Sequence, residues 1–179
     1  MKKRLILIRH GQTQFNVEGR VQGWADSPLT SQGISQMKLV RHILCEEKIV
    51  FENIYSSDLK RAMDSAKIIA PDANLFVTEA LREYSFGPFD GKTEIPDWDK
   101  LPDYGAETLE HCQNRLASAL VTILERETTA IVVSHGICAS LILAMSEHEN
   151  APDHFSNGAI LCFDYEDGNL KFNAVLNNT

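Results

Sequence analysis

Two stretches decide the fold of this 179-residue chain: Leu5-Ile6-Leu7-Ile8-Arg9-His10-Gly11 and Ala130-Ile131-Val132-Val133-Ser134-His135-Gly136. Each is a short apolar run that ends in His-Gly. Unbroken apolar runs of this length, rich in β-branched residues, read as strands buried on both faces, which occur in parallel sheets covered by helices. In an open parallel sheet, ligands bind in the crevice beyond the carboxyl ends of the strands. If the two strands are neighbours, His10 and His135 meet there, and the glycine after each allows a sharp turn and a close approach to a ligand. A single strand-end histidine is ordinarily structural. Two in matching positions, one of them beside Arg9, point to a site.

Outward from this pair, strands and helices alternate. Residues 4–9 form the first strand. Residues 30–48 read as a helix capped by Thr30, with Ile34, Met37, Val40 and Leu44 on its inner face. Glu52 to Ser56 is a short strand, and Leu59 to Ala70 a helix with Leu59, Ala62, Met63 and Ala66 inward, stopped by Pro71. A strand follows at 74–78, then a loop at 86–104 rich in Gly, Pro and Asp. Residues 106–127 form a long helix with Leu109, Cys112, Leu116, Leu120 and Leu124 on one stripe. The strand at 130–134 leads to a helix at 137–147, and 159–164 and 170–176 flank Asp167-Gly168 as a closing hairpin. This alternation predicts an α/β sandwich with a largely parallel central sheet, as one domain over residues 1–179.

Two further segments carry charge to the same crevice. Arg9 follows four apolar residues, where an unpaired charge is costly, so it needs a partner, and a phosphate would serve. Arg61 lies in the first turn of a helix, beside N–H groups that favour anions, within Ser56-Ser57-Asp58-Leu59-Lys60-Arg61-Ala62. Taken alone, it would read as a solvated arginine near Asp58 or Asp64. Leu81-Arg82-Glu83-Tyr84-Ser85-Phe86-Gly87-Pro88-Phe89-Asp90-Gly91 reads as a fixed loop in which Glu83 could donate a proton. In isolation Glu83 would read as a surface residue.

The net charge of −8 argues against a nucleic-acid or membrane-surface binder, which would present a basic face. It leaves room for an anion in a locally basic pocket. The apolar run after Lys2-Lys3-Arg4 is too short for a signal-peptide core or a membrane span, so a cytoplasmic location is expected. Cys45, Cys112, Cys138 and Cys162 form no Cys-x-x-Cys pair and read as buried, reduced thiols. His42, His111, His148 and His154 read as surface or helix residues. Trp24, beside Gly23, is a better candidate than Trp98 to line a substrate mouth. Phe155-Ser156-Asn157-Gly158 precedes the hairpin and could put an edge near the pocket, which the sequence does not decide.

In order along the chain, these residues resemble the motifs of the histidine phosphatase superfamily, in its phosphoglycerate mutase-like branch. Arg9-His10-Gly11-x-Thr13-x-x-Asn16 resembles the nucleophile motif, and Gly23-x-x-Asp26-x-Pro28-Leu29-Thr30-x-x-Gly33 the segment that follows it. Ser56-Ser57-Asp58-Leu59-x-Arg61-Ala62 resembles the second-arginine motif. Leu81-Arg82-Glu83 with Gly87 and Gly91 resembles the acid-bearing loop, and Ser134-His135-Gly136 the second-histidine motif. The ordered set runs from about residue 4 to residue 140. Departures are Gln12 and Phe89 with Asp90, neither of which touches the implied phosphate pocket, and Gly105-Ala106-Glu107-Thr108, which is placed either to cap the long helix or to shape the pocket rim.

The resemblance implies a three-layer α/β/α sandwich of the phosphoglycerate mutase-like kind and a phosphomonoesterase acting on a small phosphorylated metabolite. His10 is then the nucleophile, and Glu83 protonates the leaving alkoxide. Arg9, Arg61 and His135 clamp the phosphoryl oxygens, and Asn16 adds a neutral donor. Gln22, Gly23 and Gly136 fall at substrate-contact positions. Cationic side chains take the place of a metal, so no metal or other cofactor is expected, and neither is a nucleic-acid or membrane partner. Residues 84–105 are short and acidic, with Asp90, Glu94, Asp97, Asp99 and Asp103 against Lys92 and Lys100. Such a lid suits hydrolysis better than the mutase alternative, which must retain a bisphosphate. Two rivals are a metal-dependent hydrolase, which lacks ligand spacing around either histidine, and a non-catalytic phospho-ligand binding protein, against which the joint presence of His10, Arg61, Glu83 and His135 speaks.

Overall fold

β1 (Lys3–Arg9) and β4 (Thr129–Ser134), the strands that carry the two histidines, lie parallel and adjacent in the middle of the sheet. Their register pairs Leu5 with Ala130 and Arg9 with Ser134. His10 and His135 therefore leave the sheet at the same height, and His10 N donates to Ser134 O at 3.0 Å. The structure is a computed structural model that describes residues 2–149, 151–152 and 154–177.

The other strands are β2 (Asn53–Ser57), β3 (Asn74–Thr78), β5 (Ile160–Glu166) and β6 (Asn169–Val175). Together they make one sheet in the order β3-β2-β4-β1-β5-β6. The first four strands run parallel, while β5 and β6 add an antiparallel edge. The turn joining β5 to β6 puts Asp167 at φ 51° and Gly168 at φ 87°. Positive φ at both central residues is what the tight two-residue turn of a twisted hairpin requires.

The helices are α1 (Gln14–Val17), α2 (Ser31–Glu46), α3 (Lys60–Ile69), α4 (Leu109–Arg126) and α5 (Gly136–Ala144). Successive side chains of β1 point to opposite faces of the sheet. Leu5 and Leu7 pack with Leu116 and Leu120 of α4 and Ala139 and Ile142 of α5. Ile6 and Ile8 pack with Met37, Val40 and Leu44 of α2 and Ala62, Ala66 and Ile69 of α3. The expected three-layer α/β/α sandwich follows from this alternation. Each fully buried Leu or Ile contributes roughly 1.5–3 kcal/mol, so both faces of β1 are needed. The chain leaves β1 toward the α2 layer and leaves β4 toward the α5 layer. Adjacent strands whose connections diverge in this way open a crevice at their carboxyl ends. Among the described residues, no helix is long and apolar enough to cross a membrane.

Several local expectations are corrected. Thr30 caps α2 from outside, accepting from Gly33 N, and Ile34 is exposed while Gly33 is buried in its place. The reason is close packing: a Cβ on Gly33 would stand 2.1 Å from Gln12 O, and one on Gly11 2.5 Å from Gly33 O. Gly11 and Gly136 are not among the positive-φ glycines, so they supply room and not a sharp turn. Met63 is half-buried, and Arg61, Ser65 and Ile69 complete the inner face of α3. The 86–104 segment contains short 3₁₀ turns at Gly87–Phe89 and Trp98–Tyr104. Leu109 opens α4 but stays 41% exposed, outside the core stripe. Cys45 is exposed, whereas the other three cysteines are buried.

Candidate active site

At the carboxyl ends of β1 and β4 the rings of His10 and His135 meet edge-on, with centroids 5.2 Å apart. Both are almost wholly buried, at 2% and 1% exposure. His10 Nδ1 lies 2.8 Å from Gly11 O. A carbonyl can only accept, so Nδ1 carries the proton and Nε2 keeps its lone pair. Arg61 Nε donates to that lone pair at 3.3 Å. Among the described residues, none supplies a hydrogen bond to Arg9 Nε or to either ring nitrogen of His135. Each such unmet buried group costs roughly 1–3 kcal/mol. Arg9 Nε and the one N–H of a neutral His135 ring are donors that an anion beside His10 would satisfy.

Burial, then the cations of Arg61 and Arg9, hold His10 well below the usual imidazole range. Burial is also the main cause for His135, which is depressed in the same way, with Arg61 next. Between these lowered values and the unfolded value of about 6.5, the unfolded chain binds more protons than the native one. Stability from these groups is therefore complete above that pH and is lost as pH falls. At pH 6 a free histidine would be about three-quarters protonated. The ring resonances of His10 and His135 should still sit at their neutral positions there, and saturating phosphate should pull both titrations upward. Ring NMR from pH 8 to 5 checks this.

Arg61 is 1% exposed and is aimed by the loop before α2. Its Nη2 donates to Gly23 O at 2.8 Å, and its Nη1 to Ala25 O at 2.9 Å and Asp26 Oδ1 at 3.1 Å. The partner is thus Asp26, and neither Asp58 nor Asp64. Asp58 binds Arg82, and Asp64 binds Lys60. Asp26 also accepts from Lys60 N and, at 3.4 Å, from Arg61 N. It caps a helix whose own N-cap residue, Leu59, has no side-chain acceptor. One carboxylate therefore orients the guanidinium and closes the helix end that carries it.

Glu83 is 8% exposed and not a surface residue. Its carboxylate accepts from Tyr84 N at 3.0 Å, Ile137 N at 3.2 Å and Cys138 N at 3.3 Å. The last two are first-turn N–H groups of α5, so Glu83 ties its loop to the start of that helix. Arg115 holds the backbone beneath, donating to the carbonyls of Ala80, Arg82 and Glu83, and is itself paired with Glu107. Thr108 caps α4, accepting from His111 N.

A cavity of about 540 Å³ gathers Arg9, His10, Asn16, Gln22, Gly23, Arg61, Glu83 and Gly136 on its wall. His135 is not on that wall but touches it through His10. Asn16 Oδ1 accepts from Thr13 N at 3.0 Å and from Asn157 Nδ2 at 3.2 Å, which leaves the amide nitrogen of Asn16 to donate elsewhere. Gln22 Oε1 accepts from Ser27 Oγ at 3.3 Å. Gly23 sits at φ 50°, and any Cβ there would collide with Asp90 Oδ1.

The segment before β5 enters the site as well. Arg9 Nη1 donates to Phe155 O, and Asn157 Nδ2 also donates to His10 O at 3.1 Å. The sequence left open whether this segment reaches the pocket, and it does, although nothing in it marked the individual roles of Phe155 and Asn157. Trp98, not Trp24, lines the cavity, while Trp24 Nε1 donates to Glu83 O at 2.8 Å. His154, expected to stand apart, lies on the cavity wall. Among the described residues, no group of three His, Cys, Asp or Glu side chains could hold a metal ion.

The family model for the histidine phosphatase superfamily (branch 1) matches residues 5–178. A Yersinia pestis protein named probable phosphoglycerate mutase GpmB is 33% identical over 185 residues, covering 91% of this chain and 85% of its own. The crystal structure of phosphoglycerate mutase from Bacillus anthracis superposes with a TM-score of 0.86 at 25% identity, covering 97% of this chain and 92% of that one. A phosphoserine phosphatase mutant from Entamoeba histolytica, solved with phosphoserine, gives 0.82 at 28% identity, covering 99% and 97%.

Proposed function

The chain belongs to the histidine phosphatase superfamily, branch 1, and from that membership we propose that it hydrolyses a small phosphomonoester through a phosphohistidine on His10. The lone pair of His10 Nε2 attacks phosphorus as the ester P–O bond breaks. Glu83 gives its proton to the departing oxygen, and the alcohol leaves. A water then attacks the phosphohistidine, passes a proton to Glu83 and frees His10. Arg9, Arg61 and His135 stabilise the charge that develops on the equatorial oxygens, with Asn16, Gln22, Gly23 and Gly136 around them. The observation that carries this reading is the unprotonated Nε2 of His10, which faces Arg61 Nε, with Arg9 Nε and the His135 ring left without a hydrogen-bond partner among the described residues. Hydrolysis of p-nitrophenyl phosphate should persist in EDTA and be inhibited by vanadate, a mimic of five-coordinate phosphorus. Activity lost to EDTA and restored by a divalent ion would overturn the metal-independent mechanism.

Mutase action is the second reading, favoured by the names of the Yersinia and Bacillus relatives. It needs a firm hold on a second anionic group. The further cation on the cavity wall, Arg20, already pairs with Glu18 at 3.1 Å. Release of free phosphate, with no phosphoryl transfer to a phosphoglycerate, decides for hydrolysis.

A further inference from the structure

Resting on the phosphatase reading, we propose that the alcohol part of the substrate is apolar and ring-bearing: a phosphomonoester of an aromatic or similarly flat alcohol with no second anionic group. Beyond the polar end, the cavity wall includes Val21, Phe86, Trp98, Leu109, Leu141 and Phe155, interrupted by Arg20, Ser140 and His154. Trp98 is held in place, stacked on the buried ring of Tyr84 at 5.4 Å and edge-on to Phe86 at 5.6 Å. Yet Trp98 is 39% exposed and Leu109, at the head of α4, is 41% exposed. These two large apolar side chains line the cavity and remain partly exposed, and an apolar group in the cavity would cover them further. Among the described residues, the arginine on the wall away from the phosphate end is Arg20, and it is already engaged. Arg20 donates to Gly91 O and to Glu18, and its face lies 3.9 Å from the Phe15 ring centroid. Its guanidinium is thus held against the loop. A cavity of about 540 Å³ also exceeds what a three-carbon phosphate fills, and lies in the range that encloses ring-sized ligands.

The test compares alkyl esters whose alcohols leave equally poorly, so that leaving-group chemistry does not intrude. The kcat/KM for benzyl and 2-naphthylmethyl phosphate should exceed that for glycerol 2-phosphate and 3-phosphoglycerate by at least about tenfold, the effect of covering one ring. In Trp98→Ala with Leu109→Asn, that ratio should fall about tenfold. Equal or better turnover of 3-phosphoglycerate overturns the proposal and leaves the phosphatase reading standing, as does a ratio that the double variant does not change. If no ester is hydrolysed, the phosphatase reading fails by itself. Calorimetry then decides on the pocket: benzylphosphonate should bind about tenfold tighter than methylphosphonate, and equal binding overturns the proposal.

Discussion

His10→Ala should reduce turnover to background, a loss on the order of 10⁴- to 10⁶-fold, as when a covalent nucleophile is deleted from a working site. The same variant should no longer take up radiolabelled phosphate from substrate. In the unaltered protein that label should be acid-labile and base-stable, as a phosphorus–nitrogen bond requires. The size of the effect follows from geometry. His10 presents one lone pair, on Nε2, with its tautomer set by Gly11 O and its neutrality set by burial beside two guanidinium groups. No other described side chain holds an unprotonated nitrogen at that place; His135 touches the cavity only through His10. Label that persists in His10→Ala would remove the assignment. Unfolding by urea separates chemistry from collapse, since alanine leaves a void beside Arg61 and must be shown to keep the fold.

The parts of this site legible in the sequence were those set by local pattern. Two apolar runs ending in His-Gly read as buried strands whose histidines meet if the strands are neighbours, and the register that pairs Arg9 with Ser134 makes them neighbours. Glu83 had no local mark, because its burial comes from helix α5, more than fifty residues away. The partner of Arg61 was misjudged for a related reason. Asp58 and Asp64 are its neighbours along the chain, but the loop carrying Asp26 folds back over the helix start and reaches it first. Asn157 was illegible because its value lies in tertiary contact. β5 inserts beside β1, and only that pairing brings an otherwise ordinary turn asparagine to His10 O and Asn16 Oδ1. Trp24 misled through sequence proximity to Gly23. Its ring lies against Arg82 and its N–H binds Glu83 O, so it braces the site from outside while Trp98 faces in.

Glu83→Gln should separate substrates by their leaving groups. Glutamine keeps the shape of the side chain and an oxygen for Tyr84 N and Cys138 N, but it has no proton to give. A positioned general acid is worth about 10²- to 10⁴-fold. That full loss is expected for an alkyl phosphate, whose alkoxide cannot depart unprotonated. p-Nitrophenolate is stable as an anion, so its ester should lose far less through the first step. The contrast within one variant is what identifies the role. If the substitution merely disturbed the α5 N-terminus, where the new amide nitrogen would face Ile137 N, phosphate binding would suffer and both substrates would slow together. Equal losses would therefore strip Glu83 of the acid role and leave it a structural cap. Unequal losses would assign the departing proton to the carboxylate that lines the cavity with Arg9 and Arg61.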